Sequence, residues 1–443
     1  MLEPIPEIRD ENLSEALMLL SSPAYAALLR KIEQKYLYWD KVKYLAPENI
    51  SPLTLWQAVK LTRTLQMKTL TFGGYTFRFT ITERMLSLLH QFDLNFGGSL
   101  SSEGLISAND KKYFLNSSIM EEAIASSQME GANTTRKVAK EMLRKQAAPK
   151  NRSERMIVNN YNTIKFIAEI SKERFSLDLI LRIHKMISNA TLDEIENEGR
   201  LRENDDIFVM NAINGEIAHT PPSFNEIDKM LNDLCRFANE EESEIFVHPI
   251  IKGIIIHFML AFIHPFCDGN GRTARSLIYW YLLKNKYWFV EYLSISRIIY
   301  RSKPKYERAF LCVENDNFDL SYFILYHLEV MEEAFNELKE YLSRKIHERL
   351  TLDSFISIPG ITHRQAEILQ IFNDNPQKLL SAKEIANRFG LNTKSIRNDL
   401  RNLTMLNIIS EIPVNGREFG YVQQSNNFEE IIESIKEGKN RGK

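Results

Sequence analysis

The sequence predicts a mainly α protein that ends in a compact unit of three short helices and a strand pair, and three observations carry that reading. Apolar residues return every three or four places over 135–145, 152–171, 176–189, 224–240, 249–263, 270–284 and 319–347, the period of a helix with one buried face. Strand-like runs are confined to short pairs turning at Gly73-Gly74, Asn214-Gly215 and Asn415-Gly416. Past Pro359-Gly360 the helices become short, with starts at Thr362, Ser381 and Asn392.

In chain order, residues 1–115 read as a mainly helical domain with one hairpin at Gly73-Gly74 and no catalytic signature. A loop at Gly97-Gly98 leads to a helix over 118–131 that turns Ile119, Ala123 and Ile124 inward and stops at Gly131. In a central domain, 116–350, a hairpin over 207–220 interrupts the helices until Pro221-Pro222 closes it. The domain over 360–424 precedes a tail, 425–443, expected to fray. A chain of 443 residues exceeds one ordinary core, so two or three domains are expected.

Bulk properties exclude several classes. The formal net charge is −2 with both signs mixed, which argues against whole-protein attraction to nucleic acid or membrane. Cys235, Cys267 and Cys312 are few, odd in number and without metal-ligand spacing, so reduced thiols in a cytoplasmic setting are expected. The first ten residues hold acidic groups and two prolines where a secretory signal needs a basic start and an apolar run. The most apolar stretch, 250–266, is short for a membrane span and contains Lys252, His257 and His264, so it reads as a buried helix.

The chemistry is concentrated at 264–275, His-Pro-Phe-Cys-Asp-Gly-Asn-Gly-Arg-Thr-Ala-Arg. Gly269 and Gly271 flank Asn270, three residues that tolerate positive φ, so backbone N–H groups can converge into an anion nest at a helix N-terminus. Arg272 and Arg275, three apart, share one face of that helix and offer planar forks to phosphate oxygens. Asp268 is a hard oxygen ligand suited to Mg²⁺, and His264 is the nearby group able to accept a proton near neutral pH. Phe266 reads as a buried anchor. Singly each residue suits a cap, a turn or a solvated helix face; together they suit transfer of a phosphorus-centred group from a nucleotide to a hydroxyl.

This string is similar to the Fic family signature, His-Pro-Phe-x-Asp/Glu-Gly-Asn-Gly-Arg-x-x-Arg, at every fixed position. The resemblance implies a helical Fic-type catalytic domain with a β-hairpin flap, ATP and Mg²⁺ as cofactors, and transfer of AMP to a Ser, Thr or Tyr hydroxyl of a protein, its own chain included. It assigns His264 as base, Asp268 as metal ligand, Gly269, Asn270 and Gly271 as phosphate loop, and Arg272 and Arg275 as phosphate clamps. Gly271 argues against the Doc-type branch, which has Lys there and transfers phosphate. The hairpin at 207–220 resembles the family's flap, which holds a target segment as an added strand. Ser126, Glu130 and Gly131 match a Ser/Thr-x-x-x-Glu-Gly/Asn helix whose glutamate pairs with the second arginine and obstructs the γ-phosphate.

At the C-terminal end, Ile385, Ala386, Phe389, Ile396 and Leu400 form the seam of two helices meeting at Gly390, with Thr393, Lys394, Ser395, Arg397, Asn398 and Arg401 outward. With a wing over 411–422 this predicts a winged helix, for which DNA binding and protein docking are both open. Three functions compete: AMP transfer autoinhibited by Glu130, with removal of AMP on the same site as a variant; an ATP-sensing DNA-binding regulator; and a metal hydrolase built on His248, His257, His264 and Asp268, ranked last because no second carboxylate accompanies the histidines. No membrane partner is expected, and the sequence assigns no oligomeric state.

Overall fold

The computed structural model describes residues 2–7, 13–97, 108–210, 215–239, 245–375, 378–415 and 418–424. It divides into two compact units, 1–338 and 339–443. The first opens with α1 (Leu13–Ser21), α2 (Ala26–Gln34), a single turn α3 (Trp39–Val42) and α4 (Pro52–Gln66). Ser51 starts α4 by accepting the Thr54 N–H at 3.0 Å, with Pro52 in the position where a missing donor is harmless. The hairpin at Gly73-Gly74 is β1 (Lys68–Phe72) against β2 (Tyr75–Phe79), and Phe72, Phe77 and Phe79 are buried. Then come α5 (Glu83–Phe92) and α6 (Ala108–Met129), which begins upstream of the helix read at 118. Within the loop at Gly97-Gly98, residues 98–107 lie outside those described.

Helices α7 (Arg136–Lys145), α8 (Arg152–Glu169) and α9 (Leu177–Ser188) follow, capped by Thr135, Asn151 and Ser176. Two short strands, β3 (Val209–Met210) and β4 (Ile217–His219), pair antiparallel, while residues 211–214 of their turn, Asn214 included, lie outside the described residues. After α10 (Ile227–Ala238) come α11 (Pro249–Ile263) and α12 (Asn270–Lys284). Of the apolar stretch read at 250–266, residues up to Ile263 form α11, buried along nearly its whole length, while 264–266 enter the following loop; α12 packs beside α11. Around this pair stand α6, α8, α9 and α10. Two helices that the sequence reading left unassigned, α13 (Ile295–Arg301) and α14 (Lys303–Asn315), close the unit with α15 (Ser321–Ile356), whose end passes into the second. Among the described residues no helix is long and apolar enough to cross a membrane.

The second unit holds α16 (His363–Asp374), β5 (Leu380–Ser381), α17 (Ala382–Phe389), α18 (Thr393–Met405), β6 (Ile409–Asn415) and β7 (Glu418–Gln423), with the strands ordered β5-β7-β6. Its core gathers Ile385, Ala386, Ile396, Leu400 and Leu403 with Phe355, Leu369 and Phe372, and Phe389 packs against it partly buried. This is a winged helix, in which the two-residue β5 adds a third strand. Gly416 of the wing turn and the tail over 425–443 lie outside the described residues.

Candidate functional site

The loop at 264–269 joins α11 to α12, and three local devices shape it. His264 ends α11 in the left-handed region, at φ 48 and ψ 57, with its N–H on the Leu260 carbonyl at 3.0 Å. Phe266 is fully buried and gripped at both backbone groups by Asn270: its N–H donates to Oδ1 at 2.9 Å and its carbonyl accepts from Nδ2 at 2.7 Å. The Asn270 side chain is therefore committed to holding the loop. Gly269 precedes α12 at φ 82, which few side-chain-bearing residues tolerate. Gly271 does not use that freedom, contrary to the sequence reading: it sits inside α12 and supplies room, since a Cβ there would collide with the Glu130 carboxylate and crowd Arg275. The first turn of α12 leaves N–H groups without intrahelical acceptors at the positive end of its dipole.

His264 Nδ1 lies 3.2 Å from the Ala261 carbonyl, which can only accept, so Nδ1 carries the hydrogen and Nε2 keeps the lone pair. Burial pulls this imidazole down to about 4, against the Ala261 carbonyl and Glu130, so it is neutral at pH 7. Arg275, 2% exposed, donates from Nε to Ser126 Oγ at 2.9 Å, and from Nη2 to the Ser126 carbonyl at 2.9 Å and to Glu130 Oε1 at 2.8 Å. Burial raises the Glu130 carboxyl, but Arg275, Arg272 and His264 outweigh it and hold it below the ordinary carboxylate range. Gly131 then turns the chain away from α6.

Arg272 is equally buried but poorly satisfied. Its Nη1 donates to the Ile187 carbonyl at 3.2 Å, Nη2 stands 3.9 Å from Asp268 Oδ2, and Nε finds no acceptor among the described residues. Such an orphaned donor beside a helix N-terminus is a group an anion would satisfy. Asp268 takes the Gly269 N–H on Oδ1 at 2.5 Å, and its side chain is half-exposed. Among the described residues no three His, Cys, Asp or Glu form a metal cage; the Asp268 carboxylate is a hard oxygen donor of the kind that suits Mg²⁺. His248 instead caps α11 and His257 lies against Tyr306, which lends the metal-hydrolase reading no support.

Two side chains that the sequence reading did not single out hold the loop. His184 of α9 accepts the Gly199 N–H on Nδ1 at 3.0 Å, so Nε2 carries the hydrogen and donates to the Asp268 carbonyl at 2.9 Å; its ring stacks on Phe266 at 3.6 Å. Arg202 donates from Nε to the His264 carbonyl at 3.0 Å and from its Nη atoms to Asn204, Asp205 and Pro222, tying both roots of the β3–β4 hairpin to the loop. The hairpin is further held by His219 Nε2, 2.7 Å from the Phe262 carbonyl, while Phe208, Met210 and Ile217 stay exposed.

A neutral imidazole, an anion-ready helix start and clustered guanidiniums are brought together here, groups of the kind that phosphate chemistry uses. The Fic/DOC family model matches residues 174–282 and an HTH domain model matches 364–422, so the chain carries a Fic domain followed by a helix-turn-helix domain. Protein adenylyltransferase Fic of Nematostella vectensis is 34% identical over 106 residues, 24% of this chain and 22% of that protein. Protein adenylyltransferase fic-1 of Caenorhabditis elegans is 38% identical over 112 residues, 25% of this chain and 20% of that protein. The matches thus span about a fifth of these relatives' length. A Fic family protein from Desulfovibrio desulfuricans shares the fold at a TM-score of 0.51 and 18% identity, over 79% of this chain and 98% of that one. Ser126 and Glu130 lie outside the residues the family model matches.

Proposed function

We propose that the chain is a protein adenylyltransferase that moves AMP from ATP to a Ser, Thr or Tyr hydroxyl of a protein, its own chain included, and that Glu130 keeps it weak at rest. The observation that carries this reading is a neutral histidine with its Nε2 lone pair free of the Ala261 contact, one loop away from a buried guanidinium with an unsatisfied Nε. The attacking hydroxyl gives its proton to His264 Nε2 as its oxygen bonds to the α-phosphorus; the bond from that phosphorus to the bridging oxygen breaks and pyrophosphate leaves. The N–H groups at the start of α12, with Arg272 and Arg275, stabilise charge on the phosphates. Mg²⁺ held at Asp268 would neutralise phosphate charge and align the leaving group.

Glu130 opposes this. Its carboxylate overhangs Gly271 and takes an Arg275 nitrogen, setting negative charge where the outer phosphates are to lie. The names of the relatives support AMP transfer, and the β3–β4 hairpin, with exposed apolar residues and short strands, suits an extended target segment. The same carboxylate could place a water, which favours removal of AMP as the second reading for this site. For 360–424 we propose DNA as partner, since Lys394, Arg397, Asn398 and Arg401 are exposed along α18; retention on DNA should fall steeply as salt rises. To test the catalytic reading, the purified chain is incubated with ATP, Mg²⁺ and cell lysate, and adducts are mapped by mass. AMP on a Ser, Thr or Tyr is expected; phosphate alone, or loss of AMP from pre-modified protein without any transfer, would overturn the primary reading.

A further inference from the structure

Arg152, the first residue of α8, has no part in starting its helix, because Asn151 caps it by accepting the Glu154 N–H at 2.9 Å. Its side chain, 53% exposed, instead reaches over the loop, with Nη1 2.9 Å from Asp193 Oδ1 and Nη2 3.6 Å from Asp268 Oδ2. Both carboxylates are on the surface, Asp193 at 90% and Asp268 at 47% exposure, so both contacts are weak and easily exchanged. Arg272 approaches the same Oδ2 at 3.9 Å. The oxygen best placed for a divalent cation is therefore faced by two guanidiniums. Arg272, buried and bonded to Ile187, cannot readily withdraw; Arg152, exposed on a long stem, can.

Arg152 can leave Oδ2 for a neighbouring anion without moving far, since its backbone stays anchored in α8. The released fork lies beside the helix start to which triphosphate oxygens would be drawn. Positive charge is already crowded here: burial lowers the proton affinity of Arg272, and Arg275 and Arg152 lower it further against Glu130 and Asp268. An incoming polyanion relieves that repulsion, whereas AMP brings little charge to the outer end of the site.

Building on the site's reading as a nucleotide-phosphate site, we propose that Arg152 is a further phosphate-binding residue, paired with Asp268 before the nucleotide binds and transferred to the outer phosphates of ATP when it does. The test is equilibrium binding of ATP and of AMP in Mg²⁺ to the full chain carrying Glu130→Gly, which clears the outer-phosphate seat, alone and combined with Arg152→Ala or Arg152→Lys, with thermal midpoints recorded alongside. Arg152→Ala should weaken ATP about tenfold and leave AMP within about twofold, because the lost contacts are charge-assisted bonds to the outer phosphates. Lys, a charge without the fork, should fall between. An unchanged ATP-to-AMP affinity ratio in Arg152→Ala would make Arg152 a surface ion-pair residue and overturn the proposal while leaving the functional reading intact. A Glu130→Gly chain that binds ATP no better than AMP would instead remove the phosphate-site reading, and this inference with it.

Discussion

Arg63 and Arg272 are each 1% exposed, yet they are held in opposite ways. Arg63 in α4 donates from Nε to Glu33 at 2.9 Å, from Nη1 to the Tyr322 hydroxyl at 2.9 Å and from Nη2 to the Leu37 carbonyl at 3.0 Å, and the Tyr36 ring lies 3.8 Å from its guanidinium carbon. Every nitrogen is met. Burial lowers its proton affinity, but Tyr322, Tyr36, Glu33 and Asp319 more than reverse that. Arg272 has one backbone carbonyl, a distant carboxylate and an unmet Nε, and burial prevails. A buried charge alone therefore does not mark a site. Unused hydrogen-bonding capacity beside a helix start separates Arg272 from Arg63, whose partners come with the scaffold.

The largest expected effect lies at the site. His264→Ala should lower AMP transfer by about 10²–10⁴-fold, the worth of a positioned base, with ATP affinity nearly unchanged in a binding titration; transfer at the parental rate would remove His264 from the chemistry. The contrast between the arginines is probed directly by a matched pair. Arg63→Met should cost about 3–5 kcal/mol in denaturant unfolding, because it leaves buried partners behind. Arg272→Met should cost far less stability but weaken ATP about tenfold or more. If the two variants exchange phenotypes, the distinction between them fails.

The pH dependence of stability sharpens the same contrast. Burial pulls His184 down to about 4, so as pH falls below the ordinary imidazole value the unfolded chain takes up a proton that the folded chain refuses. Stability contributed by the neutral ring is fully present above about pH 6.5 and is lost as pH falls toward 4, about 3 kcal/mol for this group. His184→Gln should flatten that slope in urea titrations between those limits; an unaltered slope would mean that His184 is not the buried neutral group its contacts describe. Smaller again is the brake. Glu130→Gly should raise AMP transfer by about 5–150-fold at saturating ATP, the range of typical coupling energies. Because Arg275 and its neighbours hold the Glu130 carboxyl below the ordinary range, the parent should stay restrained down through mildly acidic pH.

Much of this could be read before folding, for local reasons. Thr362, Ser381 and Asn392 begin their helices as expected because each side chain accepts an N–H of the first turn. The string at 264–275 was legible because its loop and helix start are contiguous in sequence. The likeness of the stretch at Glu130 to a known helix pointed to Arg275, and the two stand 2.8 Å apart. His184, Arg202 and Arg152 were not legible, since they reach the loop from distant elements. His184 interrupts an apolar face of Leu179, Ile180, Ile183 and Ile187, which signals a buried imidazole but not its partners. Helix α13 escaped because it is only seven residues long, and α14 because Lys303-Pro304 at its start reads as a break.

Transfer of AMP through His264, restrained by Glu130, has a signature in which phosphate ends up on protein. The most direct measurement incubates the parent, Glu130→Gly and Glu130→Gly/His264→Ala with ATP labelled at either the α- or the γ-phosphate, and counts label on protein. Label from the α-position alone, strongest in Glu130→Gly and lost in the double variant, is the predicted result. Label from the γ-position, or equal α-label in all three chains, would contradict it.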